Sequence, residues 1–301
     1  MAALRVSPAP VPTTPDGQLG PVALVLAGHL VLHAGAAVAT FLLPLVGGPA
    51  AVMLRLGLSA VVLLAVCRPR LRGRSRADWA VVVGFGATLA GMNMLFYEAI
   101  ARMPLGAAVT VEVLGPLALS VLAARGAGRW VWPAVALAGV ALLGWDGLGG
   151  LTIVGGGFAL AAGALWGAYI LLAQRTGGRF DRFDGLALAM GAATVLSAPL
   201  GIATAGTALL SPAVLGLGAA VALMSSMVPY GFELVALRRL RAATFAILMS
   251  LSPALAAVVG FVLLGQRLSL LECLAIALVV VASAGAVRGA RRPAPAVPAA
   301  T

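Results

Sequence analysis

The chain has 301 residues, 62% hydrophobic and 10% charged, against roughly 25% charged in a soluble globular domain, which argues against a water-soluble fold. Its net charge of +11 comes from arginines that punctuate apolar runs. They do not gather on one solvated patch, which argues against a nucleic-acid binder. A bilayer core about 30 Å thick takes about 20 apolar residues per helix, so this length suits about ten spans.

Residues 1–20, with Pro10, Pro12, Pro15, Asp16 and Gly17, read as a disordered Pro-rich tail. They lack the charged region and short apolar core of a cleaved signal peptide. Five apolar runs follow: Pro21 to Val38, Ala50 to Cys67, Trp79 to Ala99, Gly106 to Ala123 and Val131 to Trp145. A second five run Gly155 to Leu172, Gly185 to Ala203, Pro212 to Leu237, Ala243 to Leu264 and Leu268 to Val287. Residues 288–301 read as a second disordered tail. Cys67 and Cys273 fall near helix ends far apart in sequence, which indicates neither a disulfide framework nor a thiolate metal site.

Arginines in short loops stay on the cytoplasmic side. The loop after the second span holds Arg68, Arg70, Arg72, Arg74 and Arg76, and further arginines follow the fourth, sixth and eighth spans. With both termini cytoplasmic, seventeen of the twenty arginines lie on that side, leaving Arg102 and Arg267 opposite and Arg55 within a span. A shift of 137 positions pairs Ala99 with Ala236, Arg102 with Arg239, Leu114 with Leu251 and Pro116 with Pro253. Each half then holds five spans. An odd number inserts the second copy upside down, and such inverted repeats place a solute site near the midplane at their interface. The expected fold is an all-α membrane protein of ten transmembrane helices in two inverted repeats, residues 21–147 and 152–287.

An ionisable side chain at membrane depth needs a partner, a watery cavity or a role. Glu112 lies about 12 Å into the fourth span by helical rise. It has three readings: a proton carrier, a ligand for a substrate ammonium, or an ion-pair partner of Arg55. Arg55 can equally reach Glu98, itself placed to be solvated. Glu233, near Pro229 and Tyr230, is a cavity gate or an interfacial anchor. Glu272 reads as a solvated helix-start carboxylate.

His29 and His33 share a helix face, but two imidazoles do not complete a metal site, so polar packing, pore lining or proton relay remain. Asn93 with Tyr97, and Trp166 with Tyr169, are spaced to share faces. Each pair either lines a cavity or, for Asn93, bonds across helices. Pro116 and Pro253 sit inside spans, where a missing N–H bends a helix and frees a carbonyl. A nucleophile with a base, or a dense ligand cluster, is not evident, so no enzyme, metal or cofactor is expected.

Several stretches resemble a known family. Leu32-His-Ala-Gly-Ala-Ala, Phe41-Leu-Leu-Pro-Leu-Val-Gly, Gly91-Met-Asn-Met-Leu-Phe-Tyr, Pro104-Leu-Gly-Ala-Ala-Val and Glu112-Val-Leu-Gly-Pro-Leu-Ala lie in the first half. Val228-Pro-Tyr-Gly-Phe-Glu-Leu-Val-Ala-Leu, Leu248-Met-Ser-Leu-Ser-Pro-Ala-Leu-Ala-Ala and Leu264-Gly-Gln lie in the second. Together they resemble threonine/homoserine exporters of the RhtA type, in the EamA branch of the drug/metabolite transporters. The resemblance implies two inverted EamA repeats with cytoplasmic termini in a prokaryotic inner membrane. It also implies efflux of amino acids or other small metabolites, with protons as the coupling ion. Two departures stand out: Ser252 and Gln266 replace carboxylates common in that family, leaving Glu112 and Glu233 as the acidic candidates. A membrane binding or sensory protein of the same fold is the alternative.

Overall fold

The computed structural model describes residues 15–123, 130–143, 152–180, 183–229, 232 and 248–289. Among them there is no β-strand. The helices are α1 (Pro15–Cys67), α2 (Arg76–Ile100), α3 (Leu105–Glu112), α4 (Leu114–Ala123) and α5 (Val131–Leu143). They continue as α6 (Ile153–Gly177), α7 (Asp184–Ala205), α8 (Pro212–Ala222), α9 (Ser252–Leu264) and α10 (Leu270–Gly289). A π-helical turn, Leu223–Met227, extends α8. Stretches of α1, α2, α6, α7 and α10 are long and apolar enough to cross a membrane, while 105–119, 131–143, 212–227 and 252–264 form shorter apolar helices.

α1 starts at Pro15, ahead of the expected Pro21, and continues through the expected first loop. It is not straight. Gly47 adopts φ 77° and ψ 165°, a left-handed conformation that suits glycine, between Pro44 and Pro49. The consequence is visible at Ser225, which lies against Gly35 and accepts a hydrogen bond from Arg55. A straight helix would hold those two positions about 30 Å apart. Folding back at Gly47 divides α1 into two arms that both reach Ser225.

The helix starts carry their own signals. Ser75 and Asp78 form a capping box at α2, and Ser269 with Glu272 repeats the exchange at α10. Glu272 is buried by this pairing, not solvated as its position in sequence suggests. Helix contacts then rely on small residues, which let backbones approach where lipid supplies no hydrophobic drive. Gly86 meets Ala189 and Ala193 of α7, Gly106 meets Ala257 of α9, and Gly139 meets Ala275 of α10.

The loops gather at two poles. At one, Arg179 pairs with Asp78 (2.9 Å), while Arg74 donates to the Arg179 carbonyl and lies 4.5 Å from the Phe180 ring. This joins the loop after α1 to the loop after α6. At the other, Gly48 lies against Glu98, Glu98 pairs with Arg102, and Arg102 stacks on Phe158 at the start of α6. The Gln266 side chain accepts from the Leu105 N–H at 3.1 Å at the same pole, closing the first turn of α3.

Candidate functional site

Between the poles, a group of polar side chains is enclosed by apolar helices. Tyr97 is 0% exposed, His33 and Asn93 4% each, and Glu112 9%. Two breaks in helical structure lie beside them, one at Glu112 and one at the Ser252 that meets His33.

The first break separates α3 from α4 at Val113. Pro116 offers no N–H to the carbonyl of Glu112, four residues earlier, so the ladder cannot pass this point unbroken. The Glu112 carbonyl rests instead on the bare Cα of Gly163 in α6, and Gly115 lies against the Gly163 carbonyl. Such an approach is open only to residues without a Cβ. The sequence reading placed Glu112 well inside a continuous fourth span; the structure makes it the last residue of α3, at the bend itself.

The second break falls at Ser250 and Leu251, before α9. Pro253 therefore occupies the first turn of α9 and is not in a helix interior, a correction to its expected place. A proline is well suited there, since the first-turn N–H groups have no helical partner. Val113 and Ser250 are separated by the same 137 positions that relate Pro116 to Pro253. At this second break Ser252 Oγ and His33 Nε2 are 2.9 Å apart, which ties α1 to α9. His29, one turn earlier, bonds through Nδ1 to the Val25 carbonyl at 2.9 Å, and its Nε2 is buried without a partner.

Arg55 differs from expectation. Its Nη2 donates to the Ser225 carbonyl (3.0 Å), and its Cζ stands 6.0 Å from the Tyr97 ring centroid. The ion pairs among the described residues join Arg102 to Glu98 and Arg179 to Asp78. One of the two pairings expected for Arg55, that with Glu98, is thus replaced by Glu98–Arg102, a local i,i+4 pair at the C-terminal end of α2. Glu112 is within electrostatic reach of Arg55 but is not ion-paired to it.

The remaining candidates divide. Asn93 donates from Nδ2 to the Leu89 carbonyl of its own helix (2.8 Å), not across helices. Trp166 packs against the cluster containing Val113, Leu117 and Val279, whereas Tyr169 lies 5.2 Å from Phe85 in the main core. The shared face of Trp166 and Tyr169 therefore serves two separate packing regions. Tyr230 and Glu233 lie outside the described residues.

Ser225 and Ser226 are the residues that sequence reasoning missed. Both are 2% exposed, on the π turn that holds Arg55. Two serines in an apolar run carry no pattern of their own. The one signal was that the run from Pro212 to Leu237 exceeds what a single span needs, leaving room for an irregular turn. π turns inside helices recur at functional sites. A groove of about 310 Å³ between α4 and α6, lined by Leu114, Gly115, Ala118, Leu119, Leu160 and Ala164, is apolar.

Long apolar helices enclosing buried charge and hydroxyls define a polytopic membrane protein. The chain belongs to the EamA-like transporter family, whose pattern matches residues 153–288. It is 37% identical over 275 residues to the threonine/homoserine exporter RhtA of Salmonella typhimurium strain LT2 and to that of Escherichia coli strain K12. Each alignment covers 90% of this chain and 92% of the relative. A crystal structure at 21% identity superposes with a TM-score of 0.62, covering 90% of this chain and 97% of the other, which shows the fold alone.

Proposed function

We propose that the protein is a secondary active exporter of small polar metabolites, with amino acids such as threonine and homoserine the favoured class. The observation that carries this reading is the end-to-end similarity to threonine/homoserine exporters, at 37% identity over 90% of the chain. In this reading the ten spans form two inverted five-helix repeats, residues 21–147 and 152–287, in a prokaryotic inner membrane with both termini in the cytoplasm. The helix breaks 137 positions apart support the repeat, and the contact between the loops after α1 and α6 supports a shared side for them.

The mechanism is alternating access. The halves rock about the polar group at mid-depth, opening it to one side and then the other. Glu112 is the proposed proton carrier. It is buried, it forms no ion pair with another described residue, and it stands at a bend that rocking would flex. A carboxylate so placed gains a proton cheaply when exposed outside and releases it when exposed to the cytoplasm.

The test uses protein in liposomes with an imposed pH gradient and labelled L-threonine or L-homoserine. Glu112→Gln should abolish gradient-driven accumulation while counterflow of label at equal pH continues. Retention of full pH dependence would remove Glu112 from the proton path, and absence of exchange for both solutes would remove the substrate class.

A further inference from the structure

We propose that Arg55 and Tyr97 form the anchor for the carboxylate group of the transported solute, a subsite for an α-amino acid. This rests on the exporter reading above and specifies how its substrate is held.

A guanidinium carries five N–H donors in a planar fork. In this structure one donates to the neutral carbonyl of Ser225, which orients the group without compensating its charge. Arg55 Nε is buried with no partner, and so is the hydroxyl of Tyr97, which is 0% exposed. Ser225 Oγ and Ser226 Oγ, on the π turn beneath Arg55, are also unpartnered. Six side-chain atoms among the described residues are orphaned in this way, and four belong to Arg55, Tyr97 and the two serines of the turn to which Arg55 bonds. Buried polar atoms in native proteins are nearly always satisfied, so their concentration at a single place needs an explanation.

Among the described residues, nearby anions do not supply it. Glu98 is committed to Arg102, and Glu112 is near without bonding. The local chemistry is one fork of strong donors beside a tyrosine whose buried O–H has no partner among the described residues. The carboxylate of an α-amino acid matches it, taking the guanidinium in bidentate fashion and the Tyr97 O–H as a further donor. The zwitterion adds no net charge to a low-dielectric site, which a lone anion or cation would. The bond to Ser225 also couples the anchor to the π turn, so occupancy bears on the α1–α8 contact.

The experiment is competition against labelled L-threonine binding to the detergent-purified full chain, with no variant required in its first arm. Competitors are L-homoserine, the amino alcohol that replaces the threonine carboxylate by CH2OH, and threonine amide. Hydrogen bonds to charged groups are worth about 1.5–3 kcal/mol each, so both carboxylate-free analogues should compete at least about tenfold more weakly than L-homoserine. In the second arm, Tyr97→Phe keeps the ring and its packing and should weaken L-threonine about threefold to tenfold, leaving the amino alcohol unchanged. Arg55→Lys, which keeps the charge and loses the fork, should weaken L-threonine further. Equal competition by the amino alcohol, or unchanged binding in Tyr97→Phe, overturns the anchor while amino-acid transport stands. Failure of the intact protein to bind either L-threonine or L-homoserine overturns the substrate class and the anchor together.

Discussion

At Val113 and at Ser250–Leu251 the chain leaves the helix by the same device, a proline three residues beyond the break, yet the two places differ in charge. The first puts Glu112 at the bend and presses its carbonyl onto Gly163. The second has Met249 at the matching position, and its nearby Ser252 bonds to His33. One break holds an ionisable group without an ion-pair partner among the described residues; the other holds a neutral group that is hydrogen-bonded. The difference teaches that a repeated backbone bend does not fix the chemistry at its apex, which side chains supply separately in each half.

The largest effect should come from filling the close approach at the first break. Gly163→Val would drive a Cβ into the Glu112 carbonyl, where the contact is with backbone that cannot rotate away. Overpacking costs about 1–3 kcal/mol in a well-packed interior, and more against backbone, so the variant should lose most folded protein in a detergent thermal-stability assay. Wild-type yield and melting temperature would mean that the α3–α6 crossing is loose.

A middle effect is expected at the second break. Ser252→Ala leaves His33 Nε2 buried without its partner, at a cost of about 1–3 kcal/mol, read as a fall in melting temperature. Ser252→Thr, which keeps the hydroxyl, should recover most of it. Equal stability in all three proteins would show that the α1–α9 tie does not hold these helices together.

The smallest effect belongs to Gln266. Its side-chain oxygen accepts from Leu105 N–H, the work of an N-terminal cap for α3. Gln266→Leu should cost about 0.5–2 kcal/mol of stability, whereas Gln266→Glu keeps the acceptor, adds favourable charge at a helix start and should be neutral or stabilising. A destabilised Gln266→Glu would show that position 266 needs the amide nitrogen. This also bears on the departure seen in the sequence: where the resembling family often carries Glu, the amide keeps the capping oxygen, so a structural role survives the loss of the carboxylate.

Much of the site was legible because burying charge in a bilayer is costly, which makes each intramembrane ionisable residue conspicuous. Glu112, Arg55 and His33 stand out on that ground alone, and they do lie among the enclosed polar groups. Partnerships were not legible. Glu98 is one turn from Arg102 and also within sequence-level reach of Arg55, and only packing shows that the local pair forms. Trp166 and Tyr169 share a helical face by spacing, but α6 meets different neighbours on either side of it. Ser225 and Ser226 are silent in sequence because small hydroxyl residues are tolerated anywhere in a membrane helix. Their importance comes from a π turn that no composition announces.

The sequence by itself determined the apolar helices, their Arg-marked ends and the prolines that interrupt them, since each depends on free energies local to a few residues: burying apolar surface, solvating charge, losing an N–H. The tertiary structure decided which groups meet. The fold-back at Gly47, the seat of the Glu112 carbonyl on Gly163 and the hold of Ser225 on Arg55 join residues far apart in the chain. Such contacts depend on how several helices pack at once, and close packing selects one arrangement among many that the same local preferences would allow.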